Sequence, residues 1–283
     1  MYIWHYQIKL SYYIAMSKLL LGLVGALCAP VVIGNAMNDM ATTPLNGAKV
    51  ELTRSCSTPV LSSAEMSAAD KQTKHNLNIR QKNNQVFIRS TVIDVYYHII
   101  VCSDGSGALT DTMLADQMTV MNSAYSSSGF SFVEAGRDVT VNDEWCTGMN
   151  SGSQAEIDMK TALRRGDGTA LNFYTTALCC NLLGWATFPS TYDYQPWRDG
   201  VVNFHYTLPG AGTGDYSLGK VAVHEVGHWL GLYHTFQGGC GSSGDLVADT
   251  PEVAAPNYGC PGATDSCPND GQGNDMTNNF MVI

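Results

Sequence analysis

Positive charge is scarce in this chain. Its 283 residues carry 15 Lys and Arg against 25 Asp and Glu, a formal net charge of −10, and no basic cluster occurs. Such a surface repels phosphate backbones and anionic headgroups, so neither nucleic acid nor an anionic membrane is expected as a partner. No Asn-x-Ser/Thr sequon is present, so N-glycosylation is not expected either. A long apolar run is also missing. Leu19 to Ile33 is apolar over about fifteen residues with Pro30 inside it, where a spanning helix needs ~20.

That run suits a secretory signal. Lys18 precedes it, and Gly34-Asn35-Ala36 supplies small residues for cleavage. Met16 starts the signal more cleanly than Met1, whose first followers include Trp4, Tyr6, Tyr12 and Tyr13. Residues 1–36 are therefore read as an N-terminal extension and signal peptide. Nine cysteines agree with export to an oxidising, extracellular setting. After signal cleavage no membrane attachment is expected.

Residues 37–88 are polar, of mixed charge and without strong periodicity, and read as a pro-region. Ser62, Ser63 and Glu65 announce a short helix. Cys56 stands out among them. Its thiolate could occupy the fourth position of a zinc ion, or it could be half of a disulfide. Residues 89–283 carry the compact domain. Thr91 to Val101 is β-branched and aromatic and reads as a strand. Thr110 to Tyr125 has apolar residues at helical spacing. Phe130–Val133 and Val139–Val141 read as two short strands. Ser153-x-x-Glu156 is a capping box opening a second helix. Further strands are expected at Ala170–Thr175, Leu183–Pro189 and Gly200–Tyr206, with His205 on a strand surface. Strands alternating with helices imply an α+β fold, a mixed sheet with helices packed on it.

The chemistry concentrates in His224-Glu225-Val226-Gly227-His228-Trp229-Leu230-Gly231-Leu232-Tyr233-His234. Histidines four apart lie on one helix face and can share an ion. A catalytic zinc takes three protein ligands and keeps one position for water, and Glu225 is placed to take that water's proton. In a continuing helix His234 would sit about 9 Å beyond His228, out of reach. The helix must therefore stop, and Gly231 permits the reversal. A bare His-Glu-x-x-His is a moderate signal, and the glycine and third histidine set this one apart from a chance match. Past His234 the chain is rich in Gly, Pro, Asp and Asn. Asp245, Asp249 and Glu252 crowd around Thr250-Pro251, which suits either Ca²⁺ or a solvated acidic surface.

Over residues 90–281 the chain resembles the metzincins, and within them the pappalysin (cytophagalysin) family, especially secreted fungal extracellular metalloproteases. The resemblance rests on residues 224–240, Gly244-Asp245 with Asp249-Thr250-Pro251, Gly259-Cys260-Pro261, Asp265-Ser266-Cys267-Pro268 and Asn279-Phe280-Met281. Met159 to Arg164, Leu183 to Pro189 and Asp199-Gly200-Val201-Val202 are similar to the family as well. It implies a twisted mixed sheet with a backing helix and an active-site helix, followed by an irregular, disulfide-containing C-terminal subdomain. It also implies zinc held by His224, His228 and His234, with Glu225 as general base. Met281 would underlie the site as the Met-turn methionine. Leu183, Gly184, Trp185 and Ala186 would form the edge strand for peptide or protein substrates. Asp245, Asp249 and Thr250 would hold calcium, Cys240 would pair with Cys267, and Cys56 would act as a latency switch. The implied activity is that of a secreted zinc metalloendopeptidase. The family pattern continues past the Met-turn with Asp-Tyr, a cysteine-bearing loop and a helix, whereas here Val282-Ile283 follows Met281. That departure carries the alternative expectation, a C-terminally truncated member that binds zinc without efficient proteolysis. Cys260 is expected to be a free thiol, and Cys102 and Cys146 are candidate partners for Cys179 and Cys180.

Overall fold

A computed structural model describes residues 55–82, 91–177, 182–212, 214–241, 244–258 and 262–282. The signal segment, the start at Met16, Cys179, Cys180, Cys260 and Ile283 lie outside the described residues. No helix among the described residues is long and apolar enough to cross a membrane.

Six strands form one sheet: β1 (Ser55–Cys56), β2 (Thr91–Val101), β3 (Phe130–Val141), β4 (Leu171–Thr176), β5 (Leu182–Ala186) and β6 (Val201–Phe204). Their order across the sheet is β1-β5-β6-β4-β2-β3. Strands β3, β2, β4 and β6 run parallel, β5 runs antiparallel to β6, and β1 joins β5 in parallel. Successive side chains of a strand point to opposite faces, and both faces here are apolar. Ile93, Val95, Tyr97, Ile99, Phe173 and Val201 face one core. Their neighbours Ile100, Tyr174 and Val202 face the other.

The first core is covered by α2 (Asp111–Ala124) and α5 (Lys220–Leu230) through Leu114, Met121, Val223, Val226 and Trp229. Thr110 caps α2 by accepting from the Met113 amide. The second core lies under α3 (Asp143–Thr147) and α4 (Gln154–Leu163). Helix α1 (Ser63–Lys82) is longer than the short helix expected, and a Ser62–Glu65 capping box starts it.

Three expectations are corrected. Phe130–Val133 and Val139–Val141 belong to one strand, β3. A register shift lets Glu134 and Gly136 face Val95 and Tyr96 in turn, so the polar stretch between the two apolar runs bulges without ending the strand. Cys102 and Cys146 pair with each other and staple the end of β2 to α3. His205 is buried in a 3₁₀ turn, its Nδ1 3.3 Å from the Thr176 carbonyl, and is no strand surface residue. The expected pairing of Cys240 with Cys267 is present.

A buried ion pair supports β5 from beneath. Glu156 and Lys160, one turn apart on α4, meet at 2.8 Å with both side chains fully enclosed. Trp185 Nε1 donates to Glu156 Oε1 at 2.7 Å, and the Gly152 amide donates to Oε2 at 2.6 Å. Burial pushes the Glu156 carboxyl up, but Lys160 and these donors hold it below its ordinary range. Removing one partner strands the other charge. Lys160→Ala is expected to destabilise the fold by about 3–5 kcal/mol in urea titration, and Glu156→Gln with Lys160→Met together by much less.

Candidate metal and catalytic site

Helix α5 carries the first two histidines one turn apart, on a different face from the Val223, Val226 and Trp229 side chains that enter the sheet core. Gly219 opens it, and its N-terminus is tied down by Gln117, whose Nε2 donates to the Gly219 carbonyl at 3.1 Å. Asp199 Oδ1 accepts from Trp229 Nε1 at 3.0 Å and fixes the helix to the start of β6. The helix stops where the sequence requires. Gly231 has φ 106°, and the Leu232 amide returns to the Gly227 carbonyl at 2.9 Å. The chain then turns back and delivers His234, whose amide donates to Gln237 Oε1 at 2.9 Å.

The three imidazoles converge. His228 Nε2 is 3.1 Å from His224 Nε2 and 3.1 Å from His234 Nε2. Nδ1 of His224 donates to the Phe280 carbonyl at 2.7 Å, and Nδ1 of His228 to the Leu232 carbonyl at 2.8 Å. Those bonds fix the tautomers of His224 and His228 and leave bare lone pairs on their Nε2 atoms. Burial lowers all three histidine pKa values, that of His234 to about 3 and that of His228 well below the ordinary range. Neutral lone pairs this close repel unless a cation lies between them. A tetrahedral zinc with bonds of 2.0–2.1 Å sets its ligand nitrogens about 3.3 Å apart, so the cluster fits that ion.

A fourth donor completes the set. Cys56, His224, His228 and His234 place their ligand atoms within 4.8 Å of one another, the one such cluster of three or more among the described residues. Burial and the Glu225 carboxylate push the Cys56 thiol well up. A thiolate there needs a cation to balance it. Strand β1 brings Cys56 in by strand addition. Ser55 faces Leu182, Cys56 faces Gly184, and the Ser57 amide donates to the Gly184 carbonyl at 2.8 Å.

Glu225 is fully buried beside this cluster. Thr58 Oγ1 donates to its Oε2 at 2.9 Å and accepts from the Ala186 amide at 2.8 Å. Burial raises the Glu225 carboxyl to about 8, against the pull of its hydrogen bonds from Thr58 and Cys56. Sequence reasoning missed Thr58. Its role comes from a contact across 167 residues, and nothing in its own neighbourhood signals it.

Two glycines are set by close approach. A Cβ on Gly184 would lie 2.7 Å from the Val202 carbonyl oxygen and 3.2 Å from Glu225 Cγ. A Cβ on Gly227 would lie 2.5 Å from the Met281 sulfur. Met281 thus packs directly beneath α5, and its carbonyl accepts from the Thr235 amide at 3.1 Å. Gly184→Ala is expected to push β5 and Glu225 apart, reducing kcat/KM on the order of 10- to 100-fold with zinc content unchanged. Steady-state assays paired with metal analysis check it.

The acidic residues downstream stay apart from this cluster. Asp245 is buried and accepts from the Val247 amide at 3.0 Å. Burial, aided by the charge of Asp249, raises its carboxyl to about 7. Oδ1 of Asp249 is buried without a hydrogen-bond partner among the described residues.

Comparison with known proteins bears on these features. The sequence profile of the M43 peptidases, described as pregnancy-associated plasma protein-A, matches residues 178–281. An extracellular metalloprotease of Pyricularia oryzae is 38% identical over 260 residues, covering 88% of this chain and 88% of its own. One from Verticillium alfalfae is 44% identical over 201 residues, covering 68% and 69%. Mature mirolysin of Tannerella forsythia, solved in complex with a cleaved peptide, aligns over 68% of this chain and 83% of its own. That alignment has 27% identity and a TM-score of 0.56. A promirolysin mutant aligns over 81% of this chain and 86% of its own, with 25% identity and a TM-score of 0.58. The α+β sheet, the histidine cluster over Met281 and these relatives agree: the chain belongs to the pappalysin (M43) family of metzincin zinc metalloendopeptidases.

Proposed function

We propose that the chain is a secreted, latent precursor whose peptidase site is built from His224, His228, His234 and Glu225. The observation that carries this is the convergence of three buried histidine Nε2 atoms beside a buried carboxylate. His224, His228 and His234 would hold a zinc ion, which would supply Lewis-acid polarisation of the scissile carbonyl and a water of lowered pKa. Glu225 then accepts a proton from the attacking water and hands it to the leaving amine. Strand β5 offers its outer edge to an extended peptide, the edge that β1 covers in the latent chain. Met281 supports the histidines from below without binding the metal.

Latency is assigned to the pro-region. Cys56 fills the fourth ligand position, while Thr58 takes both the Glu225 carboxylate and the Ala186 amide. The larger share of this chain aligned with promirolysin than with mature mirolysin supports this reading. Secretion is supported by relatives named extracellular metalloproteases. Chelator-sensitive hydrolysis of casein by the processed protein tests the activity. Processed protein that binds zinc stoichiometrically and leaves casein intact would favour the alternative of a zinc binder without efficient proteolysis.

Calcium is proposed at Asp245, Asp249 and Thr250, on the strength of the buried Asp249 Oδ1, which has no hydrogen-bond partner among the described residues. Saturating Ca²⁺ is expected to raise the melting temperature by roughly 5–10 °C. Asp249→Asn should abolish the shift. An equal shift in wild type and variant places the ion elsewhere.

A further inference from the structure

Over residues 63–75 helix α1 is mostly polar and exposed, yet Met66 on its first turn is 2% exposed. It fills a recess formed by Phe188 and Tyr233, with Leu61 and Leu246 packed alongside. Gln237 Nε2 donates to the Met66 sulfur at 4.0 Å. The Phe188 ring lies 5.4 Å from the Tyr233 ring and 5.4 Å from the His228 ring. One aromatic ring therefore separates the recess from the histidine cluster.

The walls and the filler come from different parts of the chain. Phe188 follows β5, Tyr233 lies between His228 and His234, and Leu246 belongs to the C-terminal segment, whereas Met66 and Leu61 belong to the pro-region. Leu246 is also the one non-glycine residue with positive φ among the described residues, at 67°. A bulky side chain rarely adopts that conformation, and such residues concentrate where a side chain must be held against a ligand. Departure of the pro-region would leave an apolar, preformed recess beside the reacting centre.

We propose that this recess is a specificity subsite that takes an apolar side chain of the methionine or leucine class from the N-terminal side of the scissile bond. The proposal rests on the peptidase reading above. Its direction follows from strand polarity. The pro-region runs parallel to β5, passing the histidines at Cys56 and the recess afterwards at Leu61 and Met66. In that orientation it sits in the cleft without being a substrate. A peptide added in the antiparallel sense, the stronger pairing, meets the recess first and the histidines second. Phe188 lies four positions past Gly184 on the chain, and its ring folds back toward His228. At ~3.3 Å per residue the recess then faces a residue about two or three positions before the cleaved bond.

The test uses the zinc-loaded full chain carrying Cys56→Ala and Met66→Ser, which frees the metal position and vacates the recess without removing any segment. Its kcat/KM is measured on fluorogenic peptides that differ only at those two positions, bearing Met, Leu, Gly or Asp. The expected result is a preference of roughly tenfold or more for Met and Leu over Gly and Asp at one of the two positions. Leu246→Asn and Leu246→Gly, both able to adopt φ 67°, should each flatten that ratio to within about threefold. Equal rates across the series, or a preference that neither variant alters, overturns the subsite. If only the full-chain variant is silent, the same series is read on the processed protein; if casein and every peptide stay intact there as well, the peptidase reading itself falls, and the subsite with it.

Discussion

Glu225→Gln is expected to lower kcat/KM by about 10²- to 10⁴-fold, the range carried by a positioned general base. The substitution keeps volume and hydrogen-bonding capacity, so the fold and the zinc content should stay as in wild type. His224 and His228 turn their Nε2 atoms to the cluster through Nδ1 bonds to the Phe280 and Leu232 carbonyls, not through Glu225. The effect should therefore fall on kcat, with KM little changed. Casein and peptide assays on the processed form, paired with metal analysis, read both quantities. Loss of zinc together with activity would mean that Glu225 is needed to build the site, not to move a proton.

Cys56→Ala should awaken the uncleaved chain. An intramolecular thiolate competes for the metal at an effective concentration in roughly the millimolar range, and its removal is expected to raise basal peptidase activity about tenfold or more. Activation should remain incomplete. Thr58 still holds the Glu225 carboxylate and the Ala186 amide, and Met66 still fills its recess. Adding Thr58→Val should raise activity further, because it removes the hydroxyl from both partners. Gel analysis must show the chain intact during the assay. If intact Cys56→Ala is as silent as wild type, the thiol is not what holds the enzyme latent.

The centre of the site was legible because its physics is local. His224, Glu225 and His228 share one helical face, and the reach of His234 fixes the helix end at Gly231, where the structure has it. The capping boxes at Ser153 and Ser62 are local as well. What escaped the sequence depends on distant partners. Glu156 reads as a cap residue, and its pairing with Lys160 under Trp185 appears only once both side chains are enclosed. Thr58 reads as a polar residue of a pro-region until the sheet brings it to Glu225. Strand β3 reads as two strands because its bulge lies in a polar stretch. The resemblance supplied Cys240 with Cys267, but not Cys102 with Cys146, because sequence alone does not fix connectivity.

The central claim is that a zinc ion joins His224, His228, His234 and Cys56 in the latent chain. X-ray absorption at the zinc edge of the purified, uncleaved protein tests it most directly. The expected spectrum has one zinc per chain with three nitrogen ligands at about 2.0–2.1 Å and one sulfur at about 2.3 Å. Cys56→Ala should lose the sulfur contribution and gain a light-atom ligand. A zinc site with only nitrogen and oxygen neighbours in the wild-type uncleaved chain would contradict the account.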